Sequence, residues 1–120
     1  MPKSGHIVID EPDELIRQLL ERWLGEAGYQ TLRAVQDHDL SMVKLCLVIT
    51  DISEPARAGN TIEALRAAYA APILALSARF RRGLGGSSEP ARRLRVEKVL
   101  SKPFTRQQLL RAVRETLKNA

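Results

Sequence analysis

Apolar residues along this chain follow two alternating patterns. Some form short unbroken runs. Others recur every three or four residues over longer stretches, the spacing of one helix face. His6-Ile7-Val8-Ile9, Leu45-Cys46-Leu47-Val48-Ile49-Thr50, Ala71-Pro72-Ile73-Leu74-Ala75-Leu76 and Lys98-Val99-Leu100-Ser101 are runs of the first kind. They are too short for helices and suit strands buried on both faces. Tyr29 to Val35 reads as a further short strand. Pro72 is tolerable because it begins its strand.

The second pattern fills the gaps. A first helix, capped near Asp13 and stopped by Gly28, carries Leu15, Ile16, Leu19, Leu20, Trp23, Leu24 and Ala27 on one face. Residues 37–44 have room for a helix of only about two turns. Ile52 to Gly59 is turn chemistry, after which Asn60 with Glu63 predicts a helix start. Its apolar face would be Ile62, Leu65, Ala68 and Tyr69. Arg79 to Ser88 is basic and rich in Gly and Ser, which predicts a mobile loop. A short helix follows over Glu89 to Arg95, with Ser88 as cap and Pro90 in its first turn. Thr105 and Gln108 form a capping box for the last helix, with Leu109, Leu110, Val113 and Leu117 as its buried stripe.

Five strands alternating with helices predict an α/β domain, a parallel sheet covered on both faces. Right-handed crossovers place all strand C-termini at one edge, where open α/β sheets bind ligands. That edge gathers Asp10, Glu11, Asp51, Ser77 and Lys102 from distant parts of the chain.

Composition narrows the picture. A chain of 120 residues predicts one domain spanning 1–120, with no output domain. The single cysteine, Cys46, sits in an apolar run, so it reads as a buried small hydrophobe and no disulfide framework exists. No apolar stretch approaches the roughly 20 residues of a membrane span, and no secretory hydrophobic region follows Met1. A cytoplasmic protein without membrane insertion is expected. The net charge of +5 is uneven: Arg79 to Ala120 holds 12 Lys/Arg against 3 acids. Such asymmetry suits an acidic partner or nucleic acid. Aromatic residues make up only 4% and no recognition motif is visible, so nucleic acid is not the expected partner.

The chemistry lies in the gathered edge. Three adjacent carboxylates need a counter-charge, which a hard divalent cation supplies. Mg²⁺ takes one or two carboxylates plus water and phosphate oxygens. A carboxylate such as Asp51 can act as a phosphoryl nucleophile. Lys102 would place a point charge on the phosphoryl oxygens, and Ser77 would donate a hydroxyl hydrogen bond to one of them. Phosphoryl transfer needs little beyond positioning and charge stabilisation.

These residues resemble the receiver domain of bacterial two-component response regulators, the CheY-like superfamily. The match runs through Asp10-Glu11, Asp51-Ile52 with Pro55 and Gly59, Ser77-Ala78, and Lys102-Pro103-Phe104, each at a strand end and in order. The resemblance implies a (βα)5 doubly wound, flavodoxin-like fold with strand order 2-1-3-4-5. It implies Asp51 as phosphoacceptor, assisted by Lys102 and Ser77. Mg²⁺ would be held by Asp10, Glu11, Asp51 and the backbone carbonyl of Ser53. The phosphoryl donor would be a sensor histidine kinase or phosphotransfer protein, and the readout docking to a downstream protein target. Such a domain assists its own phosphorylation and dephosphorylation but is not a turnover enzyme.

The chain departs from the family pattern in several places, among them a short second helix and a shortened fourth helix behind a longer Gly/Arg-rich loop. Proline usually follows the first acid by three residues, whereas Pro12 follows Asp10 by two, which leaves Asp13 as an alternative ligand. Glu11 stands where Asp is common. Val99 occupies the position of the strand-five aromatic switch, so an aromatic rotamer switch is absent. The rival reading is a receiver-like adaptor that signals without phosphate. Electrostatic binding of nucleic acid through the basic C-terminal part is a weaker third. No glycine-rich turn follows the first strand, and His6 and His38 belong to no Ser-His-Asp set, so a dinucleotide enzyme or hydrolase is poorly supported.

Overall fold

The computed structural model describes residues 5–34, 45–52, 55–78 and 96–118, with residues 55–60 traced as backbone only. The elements in order are β1 (His6–Asp10), α1 (Glu14–Glu26), β2 (Gln30–Arg33), β3 (Leu45–Asp51), α2 (Pro55–Ala68), β4 (Ile73–Ser77), β5 (Lys98–Ser101) and α3 (Arg106–Lys118). All strands pair in parallel, in the order β2-β1-β3-β4-β5. The sheet order and class are those expected. The expected helices at 37–44 and 89–95, the loop at 79–88 and Val35 lie outside the described residues.

Period-2 alternation divides the core between the two faces of the sheet. Ile7, Ile9, Leu47, Ile49, Leu74 and Leu76 pack with Leu20 and Leu24 of α1 and Leu109 and Val113 of α3. Val8, Val48, Ile73, Ala75 and Val99 pack with Ile62 and Leu65 of α2. Register slips only at the start of β3, where Leu45 pairs with His6 and Leu47 with Ile7. Cys46 is the extra residue, a bulge beside the sheet end away from the acids. It is half-buried against the first core cluster.

α1 begins where the sequence places it. The Asp13 carboxylate accepts from the Ile16 amide at 3.1 Å. It ends in a Schellman turn: Tyr29 N–H donates to Leu24 O and Gly28 N–H to Gly25 O, both at 3.0 Å. Gly28 has φ 95°, a conformation that glycine adopts without a Cβ penalty. The buried face differs from the expected one. Leu15 and Leu19 are exposed, at 75% and 42%. At about 100° per residue they stand roughly 140° and 100° from Leu20, outside the stripe of Leu20, Leu24, Ile16, Trp23 and Ala27. Arg17 is buried instead. Its guanidinium reaches Glu14 at 3.1 Å and Glu21 at 3.2 Å, so the buried charge is paired with carboxylates on the solvent side of the helix.

α2 also differs. It starts at Pro55, not after Asn60, so the stretch expected to be a turn is its first part. Proline suits a first helical position because the amide it lacks would have no intrahelical acceptor there. Ile62 and Leu65 are buried as expected, whereas Ala68 is exposed and Tyr69 lies just past the helix. β2 is shorter than the expected 29–35, covering Gln30–Arg33.

α3 carries the expected capping box. Gln108 N–H donates to Thr105 Oγ1 at 3.1 Å, and Thr105 N–H donates to Gln108 Oε1 at 2.8 Å. Leu109 and Val113 are fully buried, Leu110 and Leu117 partly so, and Ala112 and Thr116 complete the face. Thr105→Ala is expected to cost about 1 kcal/mol in urea unfolding, with an unchanged denaturant slope.

Candidate functional site

β1 and β3 lie side by side, with Asp10 opposite Thr50. β3 and β4 pair Asp51 with Leu76, and β4 and β5 pair Ser77 with Ser101. Four strands therefore end together, and the chain delivers Glu11 and Lys102 one residue beyond two of those ends. The Lys102 amide donates to Ser77 O at 2.9 Å, which fixes the start of the Lys102 segment. Phe104 meets Trp23 of α1 edge to face, with ring centroids 6.3 Å apart. Lys102 is thus held from the sheet on one side and from α1 on the other.

Lys102 Nζ lies 2.7 Å from Glu11 Oε1 and 2.9 Å from Asp51 Oδ1. The Glu11 side chain is 1% exposed, and those of Lys102 and Asp51 are each 14% exposed. Burial alone pulls the Lys102 ammonium down. Hydrogen bonds and attraction from Glu11 and Asp51 outweigh burial, so its pKa stands above the ordinary 10.5. The second Glu11 oxygen, Oε2, accepts from Asp13 N–H at 3.1 Å. Glu11 therefore links Lys102 to the chain entering α1. The extra methylene of glutamate gives it the reach to do so.

The other expected residues divide. Asp10 turns to Thr50, whose hydroxyl donates to Oδ2 at 2.9 Å. Ser77 is fully buried as the last residue of β4. Asp13, the alternative ligand, is exposed and used as the α1 cap. Ser53 lies outside the described residues. Thr50 was not singled out from the sequence. The available signal was a hydroxyl residue interrupting an apolar run just before the candidate nucleophile.

No family model matches the chain, and no curated protein matches it in sequence. Solved structures do match. A response regulator from Thermotoga maritima superposes with TM-score 0.75 at 18% identity, covering 97% of this chain and 99% of that one. A response regulator receiver protein from Burkholderia phymatum gives TM-score 0.71 at 21% identity, over 96% of each chain. The chemotaxis response regulator CheY4 of Vibrio cholerae gives 0.72 at 20%, over 95% and 99%. The fold is that of a response regulator receiver domain.

In this receiver fold Asp10, Asp51 and Ser77 end their strands, and Glu11 and Lys102 stand one residue beyond theirs. Among the described residues no three His, Cys, Asp or Glu side chains form a ready cation cage. Mg²⁺ does not require one, since one or two carboxylates with water suffice. Glu11 and Asp51 already converge on a cation, the Lys102 ammonium, and the donors are all oxygen. That donor set fits Mg²⁺. Among the described residues no helix is long and apolar enough to cross a membrane.

Proposed function

We propose that this chain is a phosphoacceptor switch of two-component signalling, with Asp51 as the acceptor. The observation that carries the reading is the Lys102 ammonium 2.9 Å from Asp51 Oδ1 at the C-terminal edge of a receiver fold. The donor is the phosphohistidine of a sensor kinase or phosphotransfer protein. An Asp51 carboxylate oxygen attacks phosphorus, the P–N bond breaks and its electron pair leaves with the imidazole. The product is an acyl phosphate on Asp51. Lys102 neutralises the phosphoryl oxygens, and the Ser77 hydroxyl donates to one of them. Mg²⁺, held by Asp10, Glu11, Asp51 and the Ser53 carbonyl, would supply further neutralisation of the phosphoryl charge when bound.

The added charge of about −1.5 to −2 is the signal, read by a downstream protein that docks to the modified domain. The chain assists its own phosphorylation and dephosphorylation and has no other turnover. A cytoplasmic location agrees with this role. The rival, an adaptor that signals without phosphate, is favoured by one observation. Glu11 and Asp51 share Lys102 in a site whose charges are already compensated in part.

Intact mass after incubation with acetyl phosphate and Mg²⁺ separates the two. The wild type is expected to gain one phosphoryl mass and Asp51→Asn none. An unlabelled wild type supports the adaptor, and equal labelling of both proteins removes Asp51 as the acceptor.

A further inference from the structure

We propose that the outward face of α3 is a docking surface for an acidic helix of another protein, with Arg111, Arg114 and Lys118 receiving its carboxylates. The surface lies outside the site described above, and the inference holds whether or not Asp51 carries phosphate.

α3 buries Leu109, Ala112, Val113 and Thr116 against the sheet. At about 100° per residue, Gln107, Arg111, Arg114 and Lys118 fall within an arc of roughly 60° on the opposite side. All four are exposed. They form a row about 16 Å long at 1.5 Å rise per residue. The acid of this helix, Glu115, stands on the flank toward β5, where Lys98 holds it at 2.5 Å. On the other flank Arg106 reaches Glu26 of α1 at 3.6 Å. Among the described residues, no carboxylate lies within ion-pair distance of Arg111, Arg114 or Lys118.

A solvated helix face does not need this arrangement, and α1 shows the alternative in the same molecule. There Arg17 meets Glu14 and Glu21, and Arg22 meets Glu26. In α3 the like charges stand at i,i+3 (Arg111 and Arg114) and i,i+4 (Arg114 and Lys118), a spacing that destabilises a helix. An opposing row of carboxylates relieves that repulsion, and a second helix presents such a row at the same spacing. Its width also suits the surface. α1 packs beside α3 and leaves Glu14 and Glu26 exposed, at 71% and 46% of their side chains. A nucleic-acid duplex is broader than one helix face and would bring phosphates against these carboxylates. A bilayer would need apolar side chains to insert. Among the described residues the exposed large ones are Leu15 and Leu19, both on α1.

Fluorescence anisotropy with the unphosphorylated full chain, at about 0.15 M salt, tests this. The probe is a labelled synthetic helix whose glutamates recur every third or fourth residue and so share one face. A second probe has the same composition with the glutamates spread around the helix. The wild type is expected to bind the one-faced probe more tightly than the other. Arg111→Gln/Arg114→Gln is expected to weaken that binding roughly 5- to 10-fold, the sum of two exposed ion pairs. Arg22→Gln/Arg33→Gln removes the same charge elsewhere and is expected to stay within about 2-fold of the wild type. Glutamine is a good helix former, so the α3 variant should melt no lower than the wild type. Lys118→Gln, with a loss of roughly 2- to 3-fold, replaces it if it does not fold. Absence of wild-type binding overturns the proposal, as do equal affinities for the two probes or equal losses in the two double variants. Tighter binding of a DNA duplex of the same net charge, or of phosphatidylserine vesicles, overturns it in favour of a different partner.

Discussion

Lys102→Ala is expected to destabilise the fold by about 3 kcal/mol near neutral pH and to slow labelling by acetyl phosphate roughly 100-fold. Both effects come from one atom. Nζ is the shared partner of Glu11 and Asp51, and Glu11 is almost completely buried. Without the ammonium, Glu11 and Asp51 lose the cation they share. Breaking a buried pair by removing one partner costs about 3–5 kcal/mol, and the partial exposure of Asp51 places this case at the low end.

The pH dependence carries the sign of the Lys102 shift. Its folded pKa lies above the unfolded value of 10.5. Its stabilising contribution is therefore complete below 10.5 and lost as pH rises through the folded pKa. Urea unfolding of both proteins should show the full gap near neutral pH and a closing gap in the alkaline range above 10.5. A gap that stays constant to high pH would show that packing of the lysine stem, not its charge, carries the loss. Adding Glu11→Gln to Lys102→Ala should recover part of the stability, because the buried uncompensated charge goes with it. The labelling defect should persist, because the phosphoryl oxygens still lack their cation.

Leu24→Ala is expected to cost about 3 kcal/mol, within the 2–5 kcal/mol range of buried leucine truncations. Leu24 is 0% exposed and packs with Leu20, Tyr29 and the inward residues of β1 and β3. It also supplies the carbonyl that closes α1 against Tyr29 N–H. Truncation leaves that backbone bond but removes the apolar contact that accompanies the turn. Leu15→Ala, on the same helix and of the same residue type, is expected to change stability by about 0.5 kcal/mol or less. Leu15 is 75% exposed. Equal losses in the two variants would place the α1 stripe wrongly.

The contrast between Leu15 and Leu24 shows where sequence reading stops. Helical spacing identifies α1 and its length. It does not decide which side of a broad apolar arc meets the sheet, because Leu15 and Leu19 extend the arc past what one sheet face covers. Arg17 enters the buried side through its pairing with Glu14 and Glu21, which hydropathy does not report. The start of α2 was hidden for a related reason. Pro55 and Gly59 read locally as turn residues, yet proline is at home in a first helical turn.

The parallel sheet and its strand order, the Asp13 cap, the Gly28 stop and the Thr105–Gln108 box were all determined by the sequence alone. They rest on short-range chemistry and on the handedness of crossovers, both of which act on any chain with this pattern. Only the tertiary structure decided how the edge divides its charges. Glu11 and Asp51 go to Lys102, Asp10 goes to Thr50, and Asp13 stays with its helix. Those choices depend on strand register and on separations of a few ångströms between residues up to 91 positions apart, distances that spacing along the chain does not encode.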